Sequence, residues 1–183
     1  PAPALDGPSM ISQAVAIATP SSTTGMRTKA GGVPPRPLAE LATDDLVLAD
    51  LAVHREDRVV LLLTDRAEYV GALFGALKLA AVVVMVNPEL DAGRIAEILD
   101  LASPQAVVHE ARLGPVVSTA AAASMSPPRL LPVPDDGLDL AGDVPAAPTH
   151  RDDPALWLFS GGTTGVPKAV VQTQRSFANT TEL

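Results

Sequence analysis

The sequence holds no cysteine, so neither a disulfide framework nor a thiolate metal site can be built from it. That suits a reducing compartment, and the cytoplasm is the expected location. Aromatic residues make up only 3% of the chain, so any core has to be packed from many small side chains, chiefly Ala, Val and Leu. Long apolar runs are missing too. The longest, Leu79–Val86, falls far short of the about 20 residues that span a bilayer as a helix. No basic region precedes an apolar segment at the N-terminus, so no secretory signal is read there. Basic residues are outnumbered, 13 against 21 acidic, for a formal net charge of -8. The Lys and Arg that exist are scattered, whereas a binder of phosphate backbones needs them clustered, so nucleic acid is not an expected partner.

What remains is globular in composition, with 47% hydrophobic and 19% charged residues in 183, enough for one large domain or two small ones. Prolines number 18 against 13 glycines, and they gather in two stretches. Residues 1–54 hold Pro1, Pro3, Pro8, Pro20, Pro34, Pro35 and Pro37 with little periodicity. They are expected to be a poorly ordered or extended segment, with at most a short strand around Ala14–Ala18. The chain opens on Pro1 and its first Met is at position 10, so the start of the gene product is expected upstream.

From Asp57 the pattern changes. Val59–Leu63 is an unbroken apolar run with a β-branched start, as in a strand buried on both faces. Asp65, three residues before Glu68, resembles a capping box, and Tyr69, Leu73, Ala76, Leu77 and Ala80 recur at helical spacing to about Leu79. Ala81–Val86 reads as a second buried strand closed by Asn87-Pro88. Asp91 is placed to cap a helix with the apolar face Ile95, Ile98, Leu99 and Ala102, ended by Ser103-Pro104. Gln105–His109 reads as a third strand. Together these predict a β-α-β-α-β unit with a parallel sheet and right-handed crossovers, an α/β fold whose ligands sit at the carboxyl ends of the strands. Residues 111–154 interrupt it. Ala120–Ala123, Pro127-Pro128, Pro132, Pro134, Pro145 and Pro148 break every periodic pattern, and an irregular surface excursion returning at Pro154 is expected.

Ala155–Phe159 is again strand-like, and it runs into Ser160-Gly161-Gly162-Thr163-Thr164-Gly165-Val166-Pro167-Lys168. The three glycines permit positive φ, so successive backbone N–H groups can turn toward one anion. Ser160, Thr163 and Thr164 add hydroxyl donors, and Lys168 adds a point charge suited to a polyphosphate. A plain Ser/Thr/Gly turn is the bland alternative, and the ordered string ending in Pro-Lys argues against it. A Walker A loop is excluded because that motif needs Gly-Lys adjacent, then Ser or Thr, whereas Val166-Pro167 separates Gly165 from Lys168. Ser21-Ser22-Thr23-Thr24-Gly25 with Lys29 is a superficial echo without a second glycine or the Pro-Lys ending.

Ser160–Lys168 resembles the signature loop of the adenylate-forming, AMP-binding superfamily, which includes acyl- and aryl-CoA ligases, peptide-synthetase adenylation domains and luciferases. Upstream, Asp57-Arg58-Val59 through Val86-Asn87-Pro88, with Glu68 and Gly75-Ala76-Leu77-Lys78, is similar to the stretch before that loop in the family. The match covers about residues 55–183, which the resemblance makes the N-terminal part of an AMP-binding domain. It implies ATP as cosubstrate with Mg²⁺, a small-molecule carboxylic acid, and CoA as the expected acceptor. In that picture Ser160, Gly161, Gly162, Thr163, Thr164, Gly165 and Lys168 hold the β- and γ-phosphates while the acid is activated as acyl-adenylate. No family metal ligand and no family catalytic residue is found in the chain. Ala169 stands where the family usually has Gly, Leu79-Ala80 where Ala-Gly is favoured, and Gln172 and Gln174 where many CoA ligases have His. The family's adenine-binding and Thr-Gly-Asp motifs and its late lysine lie beyond Leu183, so the 183 residues alone are expected to be inactive. A peptide-synthetase-type adenylation domain, or a truncated non-catalytic nucleotide-binding or scaffold module, are the alternatives.

Other residues read as structure. His54, His109 and His150 lack ligand spacing and are expected at the surface or at strand ends. Asp135-Asp136 and Asp152-Asp153 are expected as solvated charge pairs, and Trp157 as core. Ser176 is expected to cap a final helix.

Overall fold

The computed structural model describes Leu48 and residues 51–137, 145–160 and 167–181. Nearly all of the proline-rich segment 1–54, with the short strand expected at Ala14–Ala18, lies outside these residues. The order of elements is β1 (Arg58–Leu62), α1 (Ala67–Lys78), β2 (Val82–Met85), α2 (Ala92–Ala102), β3 (Ala106–Glu110), a 3-10 turn at Ala111–Leu113, α3 (Gly114–Ala123), β4 (Arg129–Val133), β5 (Pro154–Ser160), β6 (Lys168–Thr173) and α4 (Gln174–Thr181).

The six strands form one sheet in the order β4-β3-β1-β2-β5-β6. Every neighbouring pair is parallel except β5 and β6, which form an antiparallel pair. The α/β reading with a parallel β-α-β-α-β core therefore holds. The strands expected at 59–63, 81–86 and 105–109 appear within a residue or two of those bounds.

The strand residues alternate between two cores, as the period of two demands. Val59, Leu61, Val83, Ala106 and Val108 face α1, packing on its Ala72, Ala76 and Leu77. Val60, Leu62, Val84 and Val107 face the other way, onto Ile95, Ile98, Leu99 and Ala102 of α2 and Val117, Ala120 and Ala121 of α3. The chain leaves β1 for β2 on one side and then crosses back past β1 to β3. Crossovers of one hand running in opposite directions put their helices on opposite faces, which is why α1 stands alone against α2 and α3.

Two helix starts differ in how they are capped. Asp91 accepts from Arg94 N–H at 2.9 Å, so α2 is capped as expected, and Ser103 closes it in the left-handed region at φ 43. The capping box at Asp65 is not formed. The residue before α1 is Arg66, with no side-chain cap, because the Glu68 carboxylate is taken by Arg66 Nε at 2.7 Å. At α4, Ser176 does not cap. Its N–H reaches back to Thr173 Oγ1 at 3.4 Å, so the hydroxyl one residue before the helix does the capping.

The reading of 111–154 as irregular is corrected over 111–133. A 3-10 turn, the ten-residue α3 and the five-residue β4 occupy most of it. Its prolines sit where the backbone tolerates them: Pro115 in the first turn of α3, Pro127-Pro128 between elements, and Pro132 on an edge strand. Among the described residues no helix is long and apolar enough to cross a membrane.

Candidate functional site

The loop that carries the sequence signature lies between β5 and β6. Ser160 ends β5, and Lys168 opens β6 directly opposite it in the antiparallel register. The strand beneath is firmly seated. Ala155 and Leu156 are buried, β2 pairs along Val83–Met85, and Trp157 and Phe159 pack against the α2–α3 core. Trp157 is thus a partly buried flank of the core. Lys168 is exposed at the mouth of the hairpin, and Pro167 before it is half-buried. Gly161, Gly162, Thr163, Thr164 and Gly165, with the side chain of Ser160, lie outside the described residues. The structure accordingly fixes the two ends of the expected phosphate loop at the carboxyl end of a strand whose neighbour β2 is parallel to it, the end where open α/β sheets take ligands.

At the same carboxyl end of the sheet, two to three strands away at β1 and β3, a polar cluster was missed by sequence reasoning. Glu110, at the end of β3, is 4% exposed. Its Oε1 accepts the N–H of Thr64 at 2.7 Å and the Thr64 hydroxyl, and its Oε2 accepts from Arg112 Nε. The Thr64 bond holds the Glu110 carboxyl below its ordinary range, aided by Arg112 and against the effect of burial. Beside it Arg66 spans Glu68 and the carbonyl of Pro134 at 2.9 Å, and the Glu68 hydrogen bond raises its already high pKa. This cluster fills the crevice between β1 and β3, where the direction of the crossovers reverses. In a doubly wound sheet a ligand can enter there, but here protein groups occupy it. No short motif could have shown this, since Thr64 and Glu110 are brought together only by the β1–β3 pairing.

The histidines fall apart as expected in one respect. His54 and His150 are exposed. His109 is the strand-end case: one residue before the end of β3, it is 3% exposed with Nδ1 2.8 Å from the Glu110 carbonyl oxygen. Asp152 and Asp153 are not merely solvated, since Arg175 reaches Asp152 at 2.8 Å and Arg55 reaches Asp153 at 2.5 Å. Among the described residues no three or more His, Cys, Asp or Glu side chains gather where they could hold a metal ion.

The family model for AMP-binding enzymes matches residues 46–183. This chain belongs to the AMP-binding enzyme family. It is 34% identical over 137 residues to the long-chain-fatty-acid–CoA ligase FadD13 of Mycobacterium tuberculosis, a match covering 71% of this chain and 27% of that protein. With the 4-hydroxybenzoate–CoA/benzoate–CoA ligase of Rhodopseudomonas palustris the identity is 33% over 141 residues, covering 71% of this chain and 26% of that one. Among solved structures, a benzoate CoA ligase from Burkholderia xenovorans LB400 superimposes with a TM-score of 0.76 at 25% identity, over 96% of this chain and 36% of that chain. The chain spans about a quarter of the length of the curated relatives it matches. The family match runs through both ends of the β5–β6 hairpin.

Proposed function

We propose that this segment serves ATP-dependent activation of a carboxylic acid. A carboxylate oxygen attacks the α-phosphorus of ATP, the bond from that phosphorus to the bridging oxygen breaks, and pyrophosphate leaves. The acyl-adenylate then passes its acyl group to the thiol of CoA, releasing AMP. The observation that carries the reading is the Ser160–Lys168 string set between β5 and β6, with its single cation at the hairpin mouth.

In this reading the backbone N–H groups of Gly161, Gly162 and Gly165 and the hydroxyls of Ser160, Thr163 and Thr164 hold the β- and γ-phosphates. Lys168 is placed to offset charge on the departing pyrophosphate. Donors fixed before the reaction stabilise developing charge without reorganising during it. The exposed position of Lys168 at a strand end fits such a group. Mg²⁺ fits less well as a protein-held ion, since the described residues offer no carboxylate or imidazole cluster for it. It would arrive with the nucleotide phosphates. The family relatives named above are CoA ligases for long-chain fatty acids and for benzoates, which supports an acid–CoA ligase over a peptide-synthetase domain. The 183 residues taken alone are proposed to be inactive. ATP–pyrophosphate exchange by the complete enzyme carrying this chain, across a panel of aliphatic and aromatic acids, tests the reading. Exchange dependent on one class of acid, followed by CoA-dependent AMP release, supports it. No exchange with any acid overturns it.

A further inference from the structure

The turn that follows β2 begins beside the mouth of the β5–β6 hairpin. β2 and β5 run parallel with Met85 level with Leu158, and counting on along both strands sets Val86 level with Phe159 and Asn87 with Ser160. Val86 N–H still reaches the Leu61 carbonyl of β1 at 3.2 Å, so the chain has not left the sheet before Asn87. The packing agrees with the count: Val86 and Phe159 both lie against the α2–α3 core, whereas Met85 packs on the α1 side. Alternation then carries Asn87 to the α1 side. On β6, Lys168 stands opposite Ser160 and Val170 opposite Leu158, the partner of Met85, so Lys168 takes the α1 side as well. Asn87, Ser160 and Lys168 thus occupy one row across three adjacent strands at the carboxyl end of the sheet. With two strand spacings between them, Asn87 and Lys168 stand about 10 Å apart.

The Asn87 side chain is fixed by its own turn. Its Oδ1 accepts the Glu89 N–H at 2.9 Å, and its carbonyl accepts from Leu90 at 3.3 Å. An N–H can only donate, so the atom facing Glu89 is the oxygen, and Nδ2 is turned the other way. Nδ2 has no partner among the described residues. Of residues 87–91, Asn87 alone has a side chain that carries a hydrogen-bond donor at neutral pH. We propose that Asn87 Nδ2 is a further donor to the nucleotide phosphates at the hairpin mouth, on the flank of Ser160 away from Lys168; the role presupposes the phosphate-loop reading above. An amide there adds a directed donor beside the point charge of the lysine. The turn orients it before the nucleotide arrives, so little freedom is lost on binding.

ATP–pyrophosphate exchange by the complete enzyme, with KM measured separately for ATP and for the acid, tests this role. Asn87→Asp keeps the oxygen that accepts from Glu89 and sets a carboxylate oxygen where Nδ2 stood. Asn87→Ser is neutral and keeps an acceptor for the turn, but its hydroxyl does not extend to the place of Nδ2. Both are expected to raise KM for ATP by about tenfold or more, the scale for a lost hydrogen bond to a charged group. KM for the acid and the unfolding midpoint are expected to stay at the parent values. Lys168→Ala in the same assay separates two failures. Undiminished exchange in Lys168→Ala overturns the phosphate-loop reading and the role of Asn87 with it. Slowed exchange in Lys168→Ala, with KM for ATP at the parent value in both Asn87 variants, overturns the role of Asn87 alone. A rise confined to Asn87→Asp is repulsion by a new charge and overturns it too. So does an equal rise in KM for ATP and for the acid, or a lowered unfolding midpoint, since either marks Asn87 as structural.

Discussion

Glu110 and Thr64 lie 46 residues apart in sequence, and one carboxylate oxygen of Glu110 accepts both the N–H of Thr64, at 2.7 Å, and its hydroxyl. The contact ties the turn after β1 to the end of β3 across the crevice where the crossovers change direction. A buried carboxylate holding a backbone N–H and a guanidinium is costly to disturb. Glu110→Ala leaves the Thr64 N–H without its partner and is expected to lower stability by about 2–3 kcal/mol, with Glu110→Gln losing about 1–2. Urea unfolding at neutral pH measures both. Losses below about 0.5 kcal/mol for Glu110→Ala would show that water replaces the carboxylate.

The same contact sets a pH dependence. The Glu110 carboxyl titrates below its ordinary range in the fold. Its contribution is therefore complete above the unfolded value of about 4.3 and is lost as pH falls through the lower folded value. The stability gap between the parent chain and Glu110→Gln is expected to be constant near neutrality and to shrink on acidification below about pH 4. Denaturant midpoints of both chains from pH 7 to pH 3 check it, and a gap that widens toward acid would contradict it.

Capping separates two aspartates that look alike in the sequence. Asp91→Ala removes the acceptor for the Arg94 N–H and is expected to cost about 1 kcal/mol, with Asp91→Asn nearly neutral. Asp65→Ala removes no cap and is expected to stay within about 0.5 kcal/mol. Thermal or urea unfolding of the three variants decides it.

The helix that the sequence hid has its own test. Ala120 is fully buried against the α2 side of the sheet while Ala122 is exposed. Ala120→Leu is expected to destabilise by about 1–3 kcal/mol through overpacking, and Ala122→Leu to be near neutral. Equal effects at both positions would mean that α3 does not pack as described.

These positions mark where the sequence was readable. Val59–Leu63, Ala81–Val86 and the Ile95, Ile98, Leu99 and Ala102 face announced themselves because two-sided burial and helical spacing each leave a strong apolar pattern. The helix α3 did not, since Ala120, Ala121, Ala122 and Ala123 present the same side chain to core and solvent, and the prolines around it read as breaks although each lies at a permitted position. Asp65 misled because its spacing to Glu68 suited a cap, while Arg66 between them competes for that carboxylate. At the site, the chemistry of Ser160–Lys168 is local and was legible. The Glu110 cluster is a product of strand pairing and was not.

The central claim is that the Ser160–Lys168 loop holds the phosphates of ATP for acid activation, and Lys168 is the one cation in that string. ATP–pyrophosphate exchange by the complete enzyme, comparing Lys168→Ala with the parent, tests this most directly. The expected result is a fall in exchange of on the order of 100-fold, the scale for losing one charge-stabilising donor, with the unfolding midpoint unchanged because Lys168 is exposed. Exchange at the parent rate in a folded Lys168→Ala enzyme would contradict the claim.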